Sequence, residues 1–330
     1  MNWAYDDNQH RLITASQAQP KQPYWCPRCG VSLHVRRGRV NRAYFAHQAR
    51  STGVGRGETT QHASGKQQLV TLVRQAGYPA VLERSLPASH QRPDILVGRW
   101  ALEYQCAPLS VEAYCHRMQG YQQAGVFVLW LLGSRYTLRR TLSRQVAQFL
   151  RWRPQLGWYL TYYDVSRQRL GVAYDLWQAP FLPLRVRWFW TKRWDEFVTF
   201  MRTPRTLPVP VVPATAIIHQ QRQLNWRCQQ PGWWLRRLQV QCYQAGVPLT
   251  MLGAFIGRTY AAPLYQHGGL EWRVAAALQW LGRPQLSVRL RVWPGITGAQ
   301  EAMAADYQRL LTALSQCTNS PLIGRIKAKK

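Results

Sequence analysis

Two acidic side chains lie nine residues apart in a stretch of strand-like sequence. Asp94 opens one apolar run, Glu103 lies inside the next, and Gly98-Arg99 predicts a tight turn between them. Alternation along a strand puts Glu103 and Gln105 on the same face. Two carboxylates with a neighbouring amide or backbone oxygen make an oxygen site that suits Mg²⁺ or Mn²⁺. Such an ion polarises a phosphate and lowers the pKa of a bound water, which is the chemistry of phosphodiester hydrolysis.

Polar side chains on the two flanking helices could assist this chemistry. Glu58, His62 and Lys66 are spaced by four residues, so they share one stripe of a helix. An acid, an imidazole and an ammonium group could supply a further metal contact, a proton carrier and a phosphate clamp. On the next helix Arg117 and Tyr121 are one turn apart and could hold the scissile phosphate.

Structural roles compete with these assignments. Five of the fourteen acids fall between residues 58 and 112, where abundant arginines could simply pair with them. Asp94 follows a proline and could cap a turn. Glu103 inside an apolar strand needs a partner, which Arg92 or Arg117 could provide as a salt bridge. His62 and Lys66 could be ordinary solvent-facing residues of their helix. If Arg92 does not form such a salt bridge, we predict that it binds the substrate together with Arg117.

The elements around these residues follow the order helix, three strands, helix, strand, and a further hairpin. Apolar spacing and turn residues predict them, in that order, over residues 58–75, 80–86, 94–97, 100–106, 111–123, 126–132 and 158–176. The wholly apolar run over 126–132 is typical of a strand buried on both faces. The order predicts an α/β core with short links.

Composition divides the chain into four parts. We predict an N-terminal Cys/His hairpin or knuckle over 1–56, the α/β core with an appended hairpin over 57–200, a Pro-rich linker over 201–215, and a mainly helical domain over 216–330. The last part includes a short strand over 286–292 and a basic tail over 325–330.

The N-terminal part contains a pair of closely spaced cysteines. Cys26 and Cys29 have a spacing that lets both thiolates reach one tetrahedral Zn²⁺. His47 and His34 are the candidates for the remaining ligands. The competing interpretation is a degenerate knuckle that is held together by aromatic packing.

The charge of the chain indicates a polyanionic partner. Lys and Arg number 43 against 14 Asp and Glu, a formal net charge of +29, which attracts phosphate backbones through counterion release. An anionic membrane surface also fits this charge, but no apolar stretch of about twenty residues is present. The N-terminus lacks the pattern of a signal peptide, and seven thinly spread cysteines do not resemble a disulfide framework. Nucleic acid in the cytoplasm is the favoured setting.

Tryptophan is concentrated in the second half of the chain, where 12 of the 16 lie after residue 150. Segments such as residues 185–194 alternate cations with aromatic rings. Exposed rings could stack on unpaired bases while arginines follow the backbone, giving a basic, DNA-binding C-terminal domain. The alternative is that most of these rings are core residues.

Five of these blocks together resemble a known family. They are, in chain order, Glu58-Thr59-Thr60-Gln61-His62-Ala63-Ser64-Gly65-Lys66, Gln91-Arg92-Pro93-Asp94-Ile95, Glu103-Tyr104-Gln105-Cys106, Arg117 with Tyr121, and Val128-Leu129-Trp130-Leu131-Leu132. Their order and spacing resemble the CoiA-like competence proteins, and the segments 26–29 and 44–47 resemble that family's N-terminal block. The resemblance covers residues 1–135.

The resemblance implies a PD-(D/E)xK nuclease core, which is an α+β restriction-endonuclease-like mixed sheet flanked by helices. It implies Mg²⁺ or Mn²⁺ dependence and a role in natural transformation, on incoming single-stranded or branched recombination DNA, with recombination proteins as further partners. The family pattern carries Asp94, Glu103 and Gln105 as the catalytic hairpin, with Glu58, His62 and Lys66 contributed by the helix.

Two departures from the family pattern support a second hypothesis. Gln105 stands where the superfamily usually has lysine, and Tyr44 replaces the first histidine of a pair that ends at His47. Both changes fit a catalytically inactive DNA-binding recombination accessory protein.

Overall fold

The structure is a computed structural model of the 330-residue chain, which folds as two compact units over residues 1–63 and 64–330. It describes residues 3–6, 11–19, 22–27, 32–37, 43–47, 60–86, 89, 91–283, 293, 296 and 299–317. The expected strand over 286–292 and the basic tail lie outside these residues. The four-part division of the chain stays a prediction.

The first unit contains an antiparallel sheet. Its described strands are β1 (Trp3–Asp6), β2 (Leu12–Thr14), β3 (Tyr24–Trp25), β4 (Ser32–Arg36) and β5 (Tyr44–His47). Their spatial order is β2-β1-β3-β4-β5, so the predicted hairpin is confirmed as β4–β5, within a sheet that also contains three strands not predicted. Tyr24 and Phe45, with ring centroids 5.0 Å apart, pack in its small core.

The second unit is built on a mixed sheet. Its described strands are β6 (Ala80–Leu82), β7 (Ile95–Val97), β8 (Trp100–Gln105), β9 (Phe127–Leu132), β10 (Arg151–Arg153), β11 (Gly157–Asp164), β12 (Arg169–Trp177) and β13 (Arg185–Thr191). In the described part of the chain they form one eight-stranded sheet in the order β13-β12-β11-β9-β8-β7-β6, with β10 paired to β11. The pairs β8–β9 and β9–β11 are parallel and the others antiparallel.

Helices cover the sheet. Those in the described residues are α1 (Thr60–Gln75), α2 (Val111–Gln123), α3 (Arg144–Ala147), α4 (Trp194–Arg202), α5 (Ala214–Gln229), α6 (Trp233–Gln244), α7 (Leu249–Ile256), α8 (Leu270–Trp280) and α9 (Ala299–Ser315). The predicted fold class, a mixed sheet flanked by helices, is therefore confirmed. Among the described residues, no helix combines the length and the apolar character that a bilayer span requires.

The second half of strand β9 is buried from both sides, whereas the apolar sequence predicted this for the whole run; Phe127 at its start is 55% exposed. Leu131 packs in one hydrophobic cluster with Leu69 of α1, whereas Trp130 and Leu132 pack in another with Tyr114 of α2. Helices α5 to α9 contribute to the second cluster. Residue Gly65 lets α1 lie directly on the sheet, because a Cβ at this position would be 2.1 Å from the ring of Tyr104.

Two predicted elements differ from the structure. The strand expected over 80–86 ends at Leu82, because Glu83 has a φ of 49°, which an extended strand does not allow. The hairpin expected over 158–176 is formed by β11 and β12, and it continues the main sheet through the parallel pairing of β11 with β9.

Candidate active site

The two predicted metal-binding residues lie opposite each other at the end of the β7–β8 hairpin. Ile95 pairs with Leu102, so Asp94, just before β7, lies across from Glu103 on β8. The carboxylate of Asp94 accepts a hydrogen bond from the backbone N–H of Tyr104 at 2.8 Å. Its negative charge is also the second-largest cause of the raised pKa of Glu103. The structure thus brings Asp94 and Glu103 together.

Glu103 is enclosed by the neighbouring helix. Its side chain is 1% exposed, its Oε2 accepts a hydrogen bond from Arg117 at 2.7 Å, and its Oε1 accepts one from the Tyr121 hydroxyl. Burial and the charge of Asp94 raise the pKa of Glu103 from 4.5 to about 7, against the opposing effects of Arg117 and Tyr121. This carboxyl group therefore changes its charge near neutral pH.

Helix α2 positions the two residues that hold Glu103. Ser110 caps the helix by accepting a hydrogen bond from the backbone N–H of Ala113 at 3.1 Å. Arg117 and Tyr121 then follow one turn apart on the side that faces β8. Tyr121 is buried, and burial with the charge of Glu103 raises the pKa of its hydroxyl well above the ordinary range. The side chain of Arg117 is 36% exposed, which leaves part of its guanidinium open to solvent.

Gln105 lies on the same side of β8 as Glu103, while Tyr104 between them faces α1. The Gln105 amide nitrogen donates a hydrogen bond to the carbonyl oxygen of Ala107 at 2.6 Å. The Tyr136 hydroxyl donates to the same carbonyl oxygen at 2.7 Å. The side chain of Gln105 is thus fixed by the turn that follows β8.

A third acid takes part in the site, and sequence reasoning gave it no role. Glu83 accepts a hydrogen bond from the buried Lys66 ammonium group, and its other oxygen lies 3.4 Å from the guanidinium of Arg92. The backbone N–H of Glu83 donates to the carbonyl oxygen of Asp94 at 3.0 Å. Lys66 and Arg92 are therefore joined to the β7–β8 hairpin through Glu83. The signal in the sequence that could have identified Glu83 is that it is one of the five acids between residues 58 and 112.

Of the two other residues predicted on the same helix as Lys66, the structure describes His62 but not Glu58. His62 lies in the first turn of α1 and is half-buried. Glu58 lies outside the described residues, so the stripe of Glu58, His62 and Lys66 stays a prediction.

The zinc ligands are likewise described in part. Cys26 is buried in the core of the first unit, and the ring nitrogen Nε2 of His34 accepts a hydrogen bond from Arg36 at 3.1 Å. Cys29 and the side chain of His47 lie outside the described residues. Among the described residues, no three His, Cys, Asp or Glu side chains form a group able to hold a metal ion. Zinc binding stays a prediction.

Comparisons with known proteins agree with this fold. The mixed sheet with its carboxylate hairpin is a nuclease-like domain, and the family model described as the nuclease-like domain of competence protein CoiA matches residues 58–180. The model of the CoiA N-terminal domain matches residues 7–53. The chain belongs to the CoiA-like family of competence proteins, which supports a role related to competence.

One curated relative shows the extent of the likeness. The competence protein CoiA of Bacillus subtilis (strain 168) is 33% identical over 141 residues, which cover 40% of this chain and 37% of the relative. The match therefore spans little more than a third of the relative's length. No solved structure matches the chain significantly.

Proposed function

We propose that the chain is a divalent-metal-dependent DNA nuclease that processes incoming single-stranded or branched recombination DNA in natural competence. The observation that carries this proposal is the meeting of Asp94 and Glu103 on one hairpin, beside the partly exposed guanidinium of Arg117. The net charge of +29 supports DNA as the substrate, because it favours binding to a polyanion.

The two carboxylates fit a cation that prefers oxygen ligands. The charge of Asp94 makes ionisation of Glu103 harder, and a divalent ion bound by both would remove that repulsion. Mg²⁺ is commonly held by one or two carboxylates, with waters and substrate phosphates as its other ligands. When bound, the ion supplies Lewis-acid activation of the phosphate and a water of lowered pKa.

The other side chains position the acids and the substrate. Arg117 and Tyr121 fix the Glu103 carboxylate through hydrogen bonds to its two oxygens. The exposed part of the Arg117 guanidinium can bind a phosphate oxygen of the strand to be cut. Lys66 is assigned a positioning role, because its ammonium group holds Glu83, which in turn holds the backbone of Asp94.

A second function is favoured by two observations. Both oxygens of Glu103 already accept hydrogen bonds, and Gln105 provides no ammonium group where the superfamily has lysine. A protein with this site could bind DNA as a recombination accessory without cutting it. Such a protein would show salt-sensitive DNA binding and no metal-dependent cleavage.

Cleavage of labelled DNA separates the two functions. Single-stranded, duplex and branched substrates are incubated with wild type, Asp94→Asn, Glu103→Gln and the control Glu112→Gln, in Mg²⁺, Mn²⁺ or chelator. Glu112 is an exposed acid in the first turn of α2, so its replacement matches the charge change outside the hairpin. We expect metal-dependent cutting that falls at least about a hundredfold in both hairpin variants and is kept in the control.

Two results would count against the nuclease proposal. Cutting that survives Asp94→Asn would show that the hairpin is not the active site. Salt-sensitive binding by wild type, with no cutting of any substrate in either metal, would favour the accessory function.

A further inference from the structure

Helix α6 has apolar side chains on two opposite faces. Its inward face is buried and consists of Leu235, Leu238 and Cys242. The positions that repeat at helical spacing on the other side are exposed: Trp233, Arg236, Arg237, Val240 and Tyr243. We call these five residues the outer face of α6. A helix that only supports the core needs one apolar face, so the second face indicates binding to another molecule.

The rings of the outer face are unusually open to solvent. Trp233 is 67% exposed and Tyr243 is 79% exposed, whereas a core role would bury such rings. They are ten residues apart, which separates them by about 15 Å along the helix axis. A groove of about 590 Å³ is lined by Trp233, Arg236, Arg237 and Val240.

The segment of sequence that contains this face carries positive charge and no acidic residue. No Asp or Glu occurs between Glu196 and Glu271, whereas seven arginines do. Arg236 and Arg237 are exposed, and neither takes part in an ion pair within the described portion of the chain. The partner of the outer face must therefore bring negative charge as well as flat apolar surfaces.

We propose that the outer face of α6 binds single-stranded DNA. Trp233 and Tyr243 stack on unpaired bases, and Arg236 and Arg237 between them hold the phosphates, an arrangement that binds single strands without sequence preference. An unpaired strand offers base faces that a duplex keeps stacked, so duplex DNA satisfies the arginines alone. The binding site requires neither Asp94 nor Glu103. Only the choice of DNA over RNA rests on the proposed function.

Fluorescence anisotropy of labelled oligo(dT) tests the proposal with the full chain in chelator, where metal-dependent cutting is blocked. We expect Trp233→Ala with Tyr243→Ala to weaken oligo(dT) binding about tenfold or more, with a much smaller effect on duplex DNA. A matched control is Trp152→Ala, which removes another exposed tryptophan and should leave the affinity within about twofold of wild type.

The arginines have their own matched control. Arg236→Gln with Arg237→Gln should weaken binding and make the slope of log affinity against log salt shallower by about one or more. The same double change at Arg139 and Arg140, an adjacent exposed pair in the loop after β9, removes equal charge elsewhere. This control should change the affinity by less than about threefold, because Arg139 and Arg140 are not part of the outer face of α6 and exposed charges are screened by salt.

Three outcomes would overturn the proposal. Unchanged oligo(dT) affinity in the Trp233–Tyr243 variant would reassign the outer face to a protein partner. Equal weakening of duplex and single-stranded binding would exclude base stacking, and tighter binding of oligo(U) than oligo(dT) would exclude DNA as the preferred strand. Because oligo(dT) binding is measured in chelator, where no metal-dependent cutting occurs, failure of the nuclease proposal is measured separately by the cleavage assay.

Discussion

Replacing Glu103 by glutamine should change how the stability of the metal-free protein depends on pH. The carboxyl has a pKa of about 7 in the folded chain against an ordinary 4.5. Below the lower value it is protonated in both the folded and the unfolded chain. Between the two values it is protonated only when folded, so the free energy of unfolding falls by about 1.4 kcal/mol for each pH unit. The stabilisation is lost once the pH has passed through the folded pKa.

The expected magnitude follows from the two pKa values. A rise from 4.5 to about 7 in the pKa of Glu103 corresponds to roughly 3 kcal/mol of stability present at low pH and absent at high pH. Glutamine keeps a similar shape and a carbonyl acceptor but does not titrate. The difference in unfolding free energy, wild type minus Glu103→Gln, should therefore fall by roughly 2–3 kcal/mol between about pH 5 and about pH 8.

Urea unfolding followed by tryptophan fluorescence, in chelator and at several pH values, measures this difference. Taking the difference removes the titration of groups that both proteins share. In Asp94→Asn the pKa of Glu103 should be lower, because the second-largest cause of its rise is gone, so the fall in stability should occur at lower pH. Parallel pH profiles for wild type and Glu103→Gln would refute the raised pKa and the buried geometry behind it.

Three further changes test other contacts of the site, each by chemical denaturation. Tyr121→Phe removes a hydrogen bond that favours ionised Glu103, so the fall in stability should move to higher pH; a move to lower pH would contradict the contact. Gly65→Ala places a Cβ 2.1 Å from the buried ring of Tyr104 and should cost about 1–3 kcal/mol of stability, whereas an unchanged midpoint would show that α1 lies further from the sheet. Lys66→Met breaks a buried ion pair and should cost about 1–3 kcal/mol, and a stability equal to wild type would exclude the positioning role.

Elements with a local sequence signal were predicted well. Helix α2 has the bounds expected from its apolar spacing, with the Ser110 cap at one end and Gly125, at a φ of 65°, just beyond the other. Strand β9 lies within the apolar run 126–132, which was long enough for a strand and too short for most helices. The approach of Asp94 to Glu103 followed from strand alternation and a short turn.

Contacts between distant residues were missed. The pair of Lys66 with Glu83 joins positions 17 residues apart, and it depends on the positive φ at Glu83, which nothing in the local sequence required. Sequence reasoning assigned Lys66 to a phosphate, because it could not show that a nearby acid holds the ammonium group. The partners of a buried charge are set by tertiary packing.

The segment 185–194 has a pattern that two roles share. Its alternation of cations and rings was interpreted as a DNA-binding pattern, with core packing as the alternative, and residues 185–191 form β13 at one end of the sheet, paired with β12. The DNA-binding interpretation stays a prediction. The rings of Trp188 and Trp190 stack 5.2 Å apart, and the guanidinium of Arg169 lies 4.2 Å from the centroid of Trp190. A strand with one covered face has the same alternation, so the pattern alone could not distinguish the two roles.

Calorimetric titration of the full chain with Mn²⁺ tests most directly whether Asp94 and Glu103 share a cation. Wild type and the Glu112→Gln control should bind the ion with equal affinity, whereas Asp94→Ala and Glu103→Gln should each lose at least about tenfold in affinity. If Asp94→Ala binds Mn²⁺ as tightly as wild type, the hairpin is not the metal site and the proposed mechanism is wrong.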